Sequence, residues 1–198
     1  MNKQSNPQII LGSSSRYRRA LLERLGLEFS CISPDIDESA LESESPAKLV
    51  ARLAVEKAKA VAGQSSSSAL IIGSDQLAVC GDTILGKPGN FENAVQQLSS
   101  CSGQHVSFLT SLCLYQEESA LELTATIPIN VQFRKLSQAE IERYLLKDTP
   151  YDCAGSFKSE SLGVALFDKV ETQDLTALEG LPLITLCKFL RQAGLQIP

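Results

Sequence analysis

The chain has 198 residues, of which 43% are apolar, and its formal net charge is −5. This length and apolar fraction favour a single domain over residues 1–198, whole or divided into two lobes by a cleft. The acidic balance argues against an extended basic face, so we expect neither nucleic acid nor an anionic membrane surface as a partner.

The first half of the chain predicts strands that alternate with helices. In order, these are a strand over 8–12, a helix over 15–27, a strand over 28–34, a helix over 45–63, and a buried strand and hairpin over 68–88. Ser45 and Pro46 support the second helix, because serine is a frequent N-cap and proline fits the first helical position. Gly81 and Asp82 suit the tight turn of the hairpin. The inward face of the first helix is expected to consist of Ala20, Leu21, Leu22 and Leu25.

The second half predicts a pair of long strands between helices. The expected elements are a helix over 90–102, strands over 105–115 and 121–133, a helix over 137–147, a strand over 163–170 and a helix over 180–194. The two long segments alternate in polarity and suit an antiparallel pair. Ser137 and Glu140 have the spacing of a capping box. Since parallel and antiparallel units are mixed, the sequence predicts an α/β fold with a central mixed β-sheet flanked by helices.

The numbers and spacing of cysteine and histidine restrict which metal sites and catalytic groups the chain can contain. The six cysteines lie far apart without a C-x-x-C pair. We therefore expect them to pack as small buried apolar side chains, in a protein of a reducing compartment. His105 is the only histidine, which disfavours a His-rich metal site and a Ser-His-Asp triad. Any metal is therefore expected to be a hard cation with oxygen ligands. No apolar run reaches about 20 residues and the first residues lack a signal-peptide centre, so we expect a cytoplasmic protein.

The stretch "GSSSRYRR" links the first strand to the first helix and concentrates hydroxyls and guanidiniums. Such a loop directs backbone amides and the positive end of the helix dipole at one point, where a phosphate can bind. Ser13 and Ser15 add hydroxyl donors, and Arg18 and Arg19 add bidentate ones. The alternative is an N-capped surface helix whose arginines are merely solvated.

Four further charged residues are candidates for the same site. Asp75 follows an apolar strand, which is the usual place of a catalytic carboxylate in an open α/β sheet. Lys57 lies on the long helix, Lys87 precedes a proline, and Glu38 lies in the acidic loop. Each has an ordinary alternative, a helix cap or turn former for Asp75 and solvated surface charges for the others.

The chain resembles the Maf family of nucleoside triphosphate pyrophosphatases along its whole length. The matching stretches are "ILGSSSRYRRALLERLGL", "DIDE", "EKAKAVA", "IIGSDQLAV", "LGKP", "CAGSFKSE" and "GLPL". The resemblance implies hydrolysis of a nucleoside triphosphate between its α- and β-phosphates, in a cleft between two lobes of an α/β fold similar to that of inosine triphosphatases. It also implies help from a divalent cation such as Mg²⁺, Mn²⁺ or Co²⁺.

The resemblance also implies roles for the candidate residues. Asp75 is expected to be the general base and a metal ligand, with Glu38 as the second metal ligand. The residues expected to surround the triphosphate are Ser13, Arg18, Lys57 and Lys87. Arg19 either joins them or pairs with a carboxylate.

Three positions indicate the substrate. In the family branch that acts on 7-methyl-GTP, these positions carry an aromatic residue, a glutamine and a glutamate. The chain resembles that branch, since it has Tyr17, Gln76 and Glu160 there. The resemblance implies a house-cleaning enzyme that removes modified nucleotides. The methylated base is cationic, so stacking on Tyr17 gains a cation–π component of about 0.5 to 2 kcal/mol. The Glu160 carboxylate can accept from the guanine N1–H and amino group, and Gln76 adds a polar contact to the base. The alternatives are packing of Tyr17 on the first helix and a surface charge for Glu160.

Two other functions stay open. One is a sister enzyme of the same fold acting on dTTP or UTP, and the other is a non-catalytic nucleotide-binding regulator of cell division.

The chain departs from the family pattern at three places. Arg16 stands where proline is usual, Ser161 stands where glycine is common, and the stretch ahead of "GLP" lacks the asparagine that is often seen there. The family also suggests a homodimer.

Overall fold

A computed structural model describes residues 7–197 and contains a mixed sheet flanked by helices. The strands are β1 (Ile9–Gly12), β2 (Phe29–Cys31), β3 (Leu70–Cys80), β4 (Thr83–Leu85), β5 (His105–Gln116), β6 (Leu121–Phe133) and β7 (Phe167–Thr172). The α-helices are α1 (Arg16–Glu23), α2 (Pro46–Ala62), α3 (Phe91–Cys101), α4 (Gln138–Asp148) and α5 (Leu183–Gln192). Short 3-10 helices cover Ala154–Ser156, Leu162–Leu166 and Leu175–Glu179.

The sheet combines a parallel and an antiparallel region. Its strand order is β2-β1-β3-β5-β6-β7, and β4 pairs with β3 as a hairpin. β1 runs parallel to β2 and β3, whereas β3, β5, β6 and β7 are joined by antiparallel pairs. Every residue of β1 is buried, as expected for a parallel strand covered on both faces. The predicted mixed α/β fold is confirmed.

The apolar core is divided along the long strands. One part surrounds the ends of β3, β5 and β6 that carry Ala78, Phe108 and Val131, beneath α3 and α4. The other part lies at the opposite ends of β3 and β5, around Ile72 and Leu112, against α1 and α5. A smaller cluster packs α2 on the second face of the same end. The middle of β3 therefore lies between two separately packed regions.

Helix starts follow the predicted capping chemistry. Ser15 accepts the Arg18 amide at the start of α1, and Ser45 accepts the Lys48 amide ahead of Pro46 in α2. At α4, Glu140 Oε2 accepts from the backbone N–H of Ser137 at 2.8 Å, which confirms the capping box. The sequence around each cap was enough to predict where these helices begin, because a capping side chain binds backbone amides within one turn of itself.

Three predicted elements have different bounds. α1 ends at Glu23 instead of 27, and Ala20 is exposed, so the inward face is narrower than predicted. The second strand has three residues, because the chain beyond Cys31 leaves the sheet for the cleft wall. Residues 162–166 form a 3-10 helix and the strand begins only at Phe167, where pairing with β6 starts.

The six cysteines are all free thiols. Cys101 and Cys113 are buried as predicted, and burial raises the pKa of each thiol to about 12. Cys31 is exposed at the sheet edge, which corrects the prediction for that position. The apolar neighbours of a cysteine in sequence do not decide its burial when the strand lies at an edge.

Gly73 allows α2 to lie directly on β3. A Cβ atom at Gly73 would be 2.2 Å from the Ala54 carbonyl oxygen and 2.9 Å from the Ala58 Cβ. Since no side chain fits this space, only glycine permits the contact. The close approach places Lys57 of α2 beside Asp75 of β3.

Candidate active site

A cleft of about 790 Å³ lies along the middle of β3, between the two parts of the core. That volume is in the range of about 300 to 1,000 Å³ that proteins use for small ligands. Its walls come from the loop before α1, the acidic loop, β3, the loop after β4 and the segment 152–160. The structure brings together the following predicted site residues in this wall: Ser13, Tyr17, Arg18, Glu38, Lys57, Asp75, Gln76, Lys87 and Glu160.

Two carboxylates converge on the ammonium group of Lys57. Its Nζ is 2.6 Å from Asp75 Oδ1 and 2.7 Å from Glu38 Oε1. Lys57 and Asp75 are each only 6% exposed, so this is a buried pair joined by a more exposed glutamate. A buried charge of this kind is expensive without its partners, which makes the three groups mutually dependent. Sequence spacing did not reveal that Lys57 bridges the two predicted metal ligands.

The loop before α1 holds Arg18 over the cleft. Arg18 Nε donates to the Gly180 carbonyl at 2.9 Å, and Nη1 lies 3.5 Å from Ser13 Oγ. Ser13 Oγ also accepts the backbone N–H of Ser15 at 3.1 Å. Burial lowers the pKa of Arg18 from its ordinary value, against the opposing effect of the Asp75 and Glu38 charges. The guanidinium thus lies close to the carboxylates without a direct ion pair to either.

Arg19 lies outside the cleft. Its Nε donates to Glu23 Oε1 at 3.1 Å, one turn further along α1, and both side chains are largely exposed. The second of the two predictions for Arg19, pairing with a carboxylate, fits this position. Consecutive residues of a helix point about 100° apart, so Arg18 and Arg19 face different surroundings.

Lys87 extends from a loop that is held at both of its flanks. The Gln97 amide donates to the Gly86 carbonyl at 3.2 Å, and the Asn93 amide donates to the Pro88 carbonyl at 2.9 Å. Lys87 itself is exposed in the cleft wall. Within residues 7–197 it has no ion-pair partner. The fixed loop therefore presents a solvated cation to the cleft.

Gln76 has a structural contact that the sequence did not predict. Its amide nitrogen donates to Thr110 Oγ1 at 2.8 Å and to the Ala177 carbonyl at 2.9 Å, with the Leu178 carbonyl at 3.2 Å. These contacts fasten the 3-10 helix Leu175–Glu179 to β3 and β5. Since both amide hydrogens have acceptors here, any polar contact from Gln76 to a base depends on its side-chain oxygen.

Glu160 is carried by a turn that is attached to the end of α4. Ser161 Oγ donates to Asp148 Oδ1 at 2.6 Å, and Lys158 Nζ donates to the Asp148 carbonyl at 2.6 Å. A Cβ at Gly163 would be 2.3 Å from the Lys158 carbonyl oxygen, so the turn is also tightly closed. Ser161, a departure from the family pattern, thus adds an anchor and leaves Glu160 exposed in the cleft wall.

Tyr17 belongs to a network that includes a residue the sequence did not single out. Its hydroxyl lies 3.1 and 3.2 Å from the two carboxylate oxygens of Asp152. Arg16 Nη2 donates to the Tyr17 hydroxyl at 2.7 Å and lies 3.2 Å from Asp152 Oδ2. The available signal was the position of Asp152, immediately before the matching stretch "CAGSFKSE".

The segment ahead of "GLPL" is held by a buried carboxylate. Asp174 Oδ1 accepts from the Thr176 amide and hydroxyl, and Oδ2 accepts from the Ile184 amide at 2.8 Å. Asp174 thereby caps both the 3-10 helix and the start of α5. This stretch lacks the asparagine often seen in the family, and Asp174 supplies the side-chain contacts that join the two helices on either side of "GLPL".

The side chains of the cleft supply only part of the ligands that a hard cation needs. No cluster of three or more His, Cys, Asp or Glu side chains able to hold a metal occurs in residues 7–197. Asp75 and Glu38 supply two carboxylates that already converge on one positive charge. Mg²⁺ commonly uses one or two protein carboxylates and takes its other ligands from phosphate and water. The two residues suit that mode of binding.

The chain is similar to known proteins over nearly its full length. A family model described as Maf-like protein matches residues 8–193. A protein of Alcanivorax borkumensis named 7-methyl-GTP pyrophosphatase is 53% identical, with 97% of each chain covered. Proteins with the same name from Pseudomonas fluorescens and Colwellia psychrerythraea are 53% and 50% identical, covering 96% of this chain and 98% and 94% of their own.

A solved structure supports the fold independently. The Staphylococcus aureus Ham1 protein superimposes with a TM-score of 0.54 at 14% identity, covering 94% of this chain and 99% of its own. At that identity the likeness concerns the fold alone. No helix within residues 7–197 is long and apolar enough to cross a membrane.

Proposed function

Since the chain belongs to the Maf family, we propose that it is a nucleoside triphosphate pyrophosphatase that hydrolyses 7-methyl-GTP to 7-methyl-GMP and pyrophosphate. The observation that carries the proposal is the convergence of Asp75 and Glu38 on Lys57, beside the buried Arg18, in one cleft. Relatives at 50% identity and above that bear the corresponding name support the substrate.

The cationic groups bind the triphosphate. Arg18 reaches the cleft from α1, Lys57 from α2 and Lys87 from the loop after β4, so the charges come from three separate elements. The Ser13 hydroxyl and the start of α1 add neutral donors at the same wall. Negative charge develops on the leaving pyrophosphate as the bond breaks, and preorganised cations stabilise it more strongly then than in the ground state.

Asp75 activates the attacking water. Its Oδ1 is bound to Lys57, which leaves Oδ2 to accept a proton from water in the cleft. The water oxygen bonds to the α-phosphorus, the bond to the bridging oxygen breaks, and pyrophosphate leaves. Asp75 and Glu38 would hold a divalent cation, which when bound supplies charge stabilisation to the phosphate oxygens. Burial excludes bulk water from the Lys57–Asp75 pair and keeps the base in place.

A substrate panel tests this function. Pyrophosphate release from the purified protein is measured with 7-methyl-GTP, GTP, dTTP, UTP and CTP, each with Mg²⁺, Mn²⁺ or Co²⁺ and with EDTA. We expect metal-dependent release with a strong preference for 7-methyl-GTP. Preference for dTTP or UTP would support the pyrophosphatase reaction but exclude 7-methyl-GTP as the preferred substrate. Nucleotide binding without pyrophosphate release would favour a non-catalytic regulator of cell division.

Two further properties remain predictions. We expect a homodimer from the family resemblance, and sedimentation velocity at several protein concentrations measures it. The cytoplasmic location expected from the sequence also remains a prediction, and fractionation of cells that express the chain measures it.

A further inference from the structure

Arg16 and Tyr17 form an internal cation–aromatic contact at the rim of the cleft. The central guanidinium carbon of Arg16 lies 4.8 Å from the centroid of the Tyr17 ring. The same guanidinium is 3.2 Å from Asp152 Oδ2. A planar, delocalised cation is thus held between an aromatic face and a carboxylate, inside the wall of the cleft.

The Tyr17 side chain is partly buried, whereas the Arg16 side chain is exposed. Both oxygens of Asp152 lie within 3.2 Å of the Tyr17 hydroxyl, which connects α1 to the segment 152–160 across the cleft. The Arg16 side chain is 70% exposed, and an ion pair as exposed as this contributes little to stability. Arg16 can therefore leave at small cost, and the hydrogen bond from Tyr17 to Asp152 does not involve it.

Negative charge is concentrated at this rim. Partial burial raises the pKa of Asp152, but the hydrogen bonds from Tyr17, from its own backbone and from Cys153, together with the charge of Arg16, lower it by more, so the pKa lies below its ordinary value. Burial raises the pKa of the neighbouring Cys153 thiol to about 11, and the charges of Asp152 and Glu160 act in the same direction. The carboxyl groups of Asp152 and Glu160 therefore both lie near the Cys153 thiol.

We propose that Tyr17 and Asp152 together form a recognition site for the positive charge of the methylated base, and that Arg16 occupies this site when no nucleotide is bound. The proposal rests on the proposed function and adds Asp152 as a specificity-determining residue. 7-Methylguanine is, like a guanidinium, a planar delocalised cation. The base replaces Arg16 on the Tyr17 ring, and Asp152 exchanges one cationic partner for another. Unmethylated guanine has the same ring system but lacks the N7 methyl group and the positive charge.

The test compares two ligands that differ by one methyl group and one charge. Binding of 7-methyl-GMP and GMP is measured by calorimetry, and kcat/KM is measured for 7-methyl-GTP and GTP. In Asp152→Asn we expect the preference for the methylated ligand to fall about tenfold in both measurements. In Arg16→Gln we expect the preference to rise, because the competing internal cation is removed. Asp168→Asn is the matched control, since Asp168 is an exposed carboxylate of β7 outside the cleft wall.

The outcomes separate this proposal from the proposed function. A preference in Asp152→Asn within twofold of the wild-type value, an equal loss for both ligands, or a lowered preference in Arg16→Gln would each overturn the role of Asp152. A wild-type protein that binds 7-methyl-GMP no better than GMP would overturn it as well. Absence of pyrophosphate release from any triphosphate would instead reject the proposed reaction, because the binding comparison does not require turnover. Thermal unfolding midpoints of the variants check that each is folded.

Discussion

At the scale of single residues, Lys57 determines the charge balance of the cleft. Its ammonium group lies between Asp75 and Glu38, so the candidate base is placed beside a positive charge in a buried position. Arg18 lies nearby but forms its hydrogen bonds with the Gly180 carbonyl and Ser13. The guanidinium therefore remains available to an incoming phosphate, while Lys57 holds the carboxylates.

Replacement of the base should stop the reaction without unfolding the chain. We expect Asp75→Asn to lower kcat about 10²- to 10⁴-fold, which is the usual contribution of a general base. Asparagine has nearly the same volume and can still accept the hydrogen bond from Lys57. Steady-state pyrophosphate release measures the loss, and circular dichroism checks the fold. Turnover within tenfold of wild type would exclude Asp75 as the base.

A change at Glu160 should alter substrate choice more than rate. We expect Glu160→Gln to weaken the preference for 7-methyl-GTP over dTTP by about 1 to 3 kcal/mol, because one partner of a charge-assisted contact to guanine is lost. The ratio of the two kcat/KM values measures it. Glu142→Gln on α4 is a matched control outside the cleft wall. An equal loss on both substrates would assign Glu160 to the chemistry or the fold.

At the scale of elements, the site depends on how closely α2 lies on β3. Lys57 comes from the helix and Asp75 from the strand, and no cap or turn joins them in sequence. The approach is possible because Gly73 has no side chain and because Ala54 and Ala58 are small. Small residues on both elements therefore place the two charged groups at 2.6 Å.

A methyl group at this contact should separate the two elements. We expect Gly73→Ala to reduce the free energy of unfolding by about 1 to 3 kcal/mol, as is usual for overpacking. It should also lower kcat/KM, because α2 carries Lys57 away from Asp75. Urea denaturation and pyrophosphate release measure the two effects. Gly63→Ala at the end of α2 is the control, since its Cβ would meet only ordinary contacts at 3.9 Å. Unchanged stability and activity in Gly73→Ala would contradict the argument.

At the scale of the whole molecule, the cleft exists because two packed regions share the same long strands. The acidic loop closes one side and is held to α2 by Arg52, which binds Glu44 at 2.8 Å and the Ser39 carbonyl at 2.9 Å. This attachment keeps Glu38 within reach of Lys57. The ion pair and the hydrogen bond of Arg52 thus fasten the loop to α2.

The loop attachment should fail in acid. The hydrogen bonds from Arg52 lower the pKa of Glu44 from its ordinary 4.5 to about 2. A carboxylate with a depressed folded pKa contributes stability above its unfolded pKa and loses it as pH falls through the folded value. We expect the thermal midpoint of wild type to fall between pH 4.5 and pH 2, and that of Glu44→Gln to fall less. Glu118→Gln, with an exposed carboxylate, is the control. Parallel curves for wild type and Glu44→Gln would contradict this assignment.

Much of the architecture followed from local patterns. The long strands β5 and β6, the N-caps at Ser15 and Ser45 and the capping box at Ser137 depend on residues within a few positions of each other. The mixed sheet and the family resemblance were likewise available from the order of motifs in the chain. The exact ends of α1 and β7 were not, because pairing partners and burial decide where a helix or strand ends.

The amino-acid sequence alone was enough to predict the class of fold, the family and most of the charged residues in the cleft wall, because each depends on short stretches whose chemistry is local. Four features became visible only in the three-dimensional arrangement: Lys57 joins Asp75 to Glu38, Arg19 faces away from the cleft, Gln76 holds a 3-10 helix, and Asp152 binds Tyr17. Asp152 lies 135 positions from Tyr17 in the chain. Contacts between such distant positions form only when the sheet brings their elements together, and no local pattern encodes them.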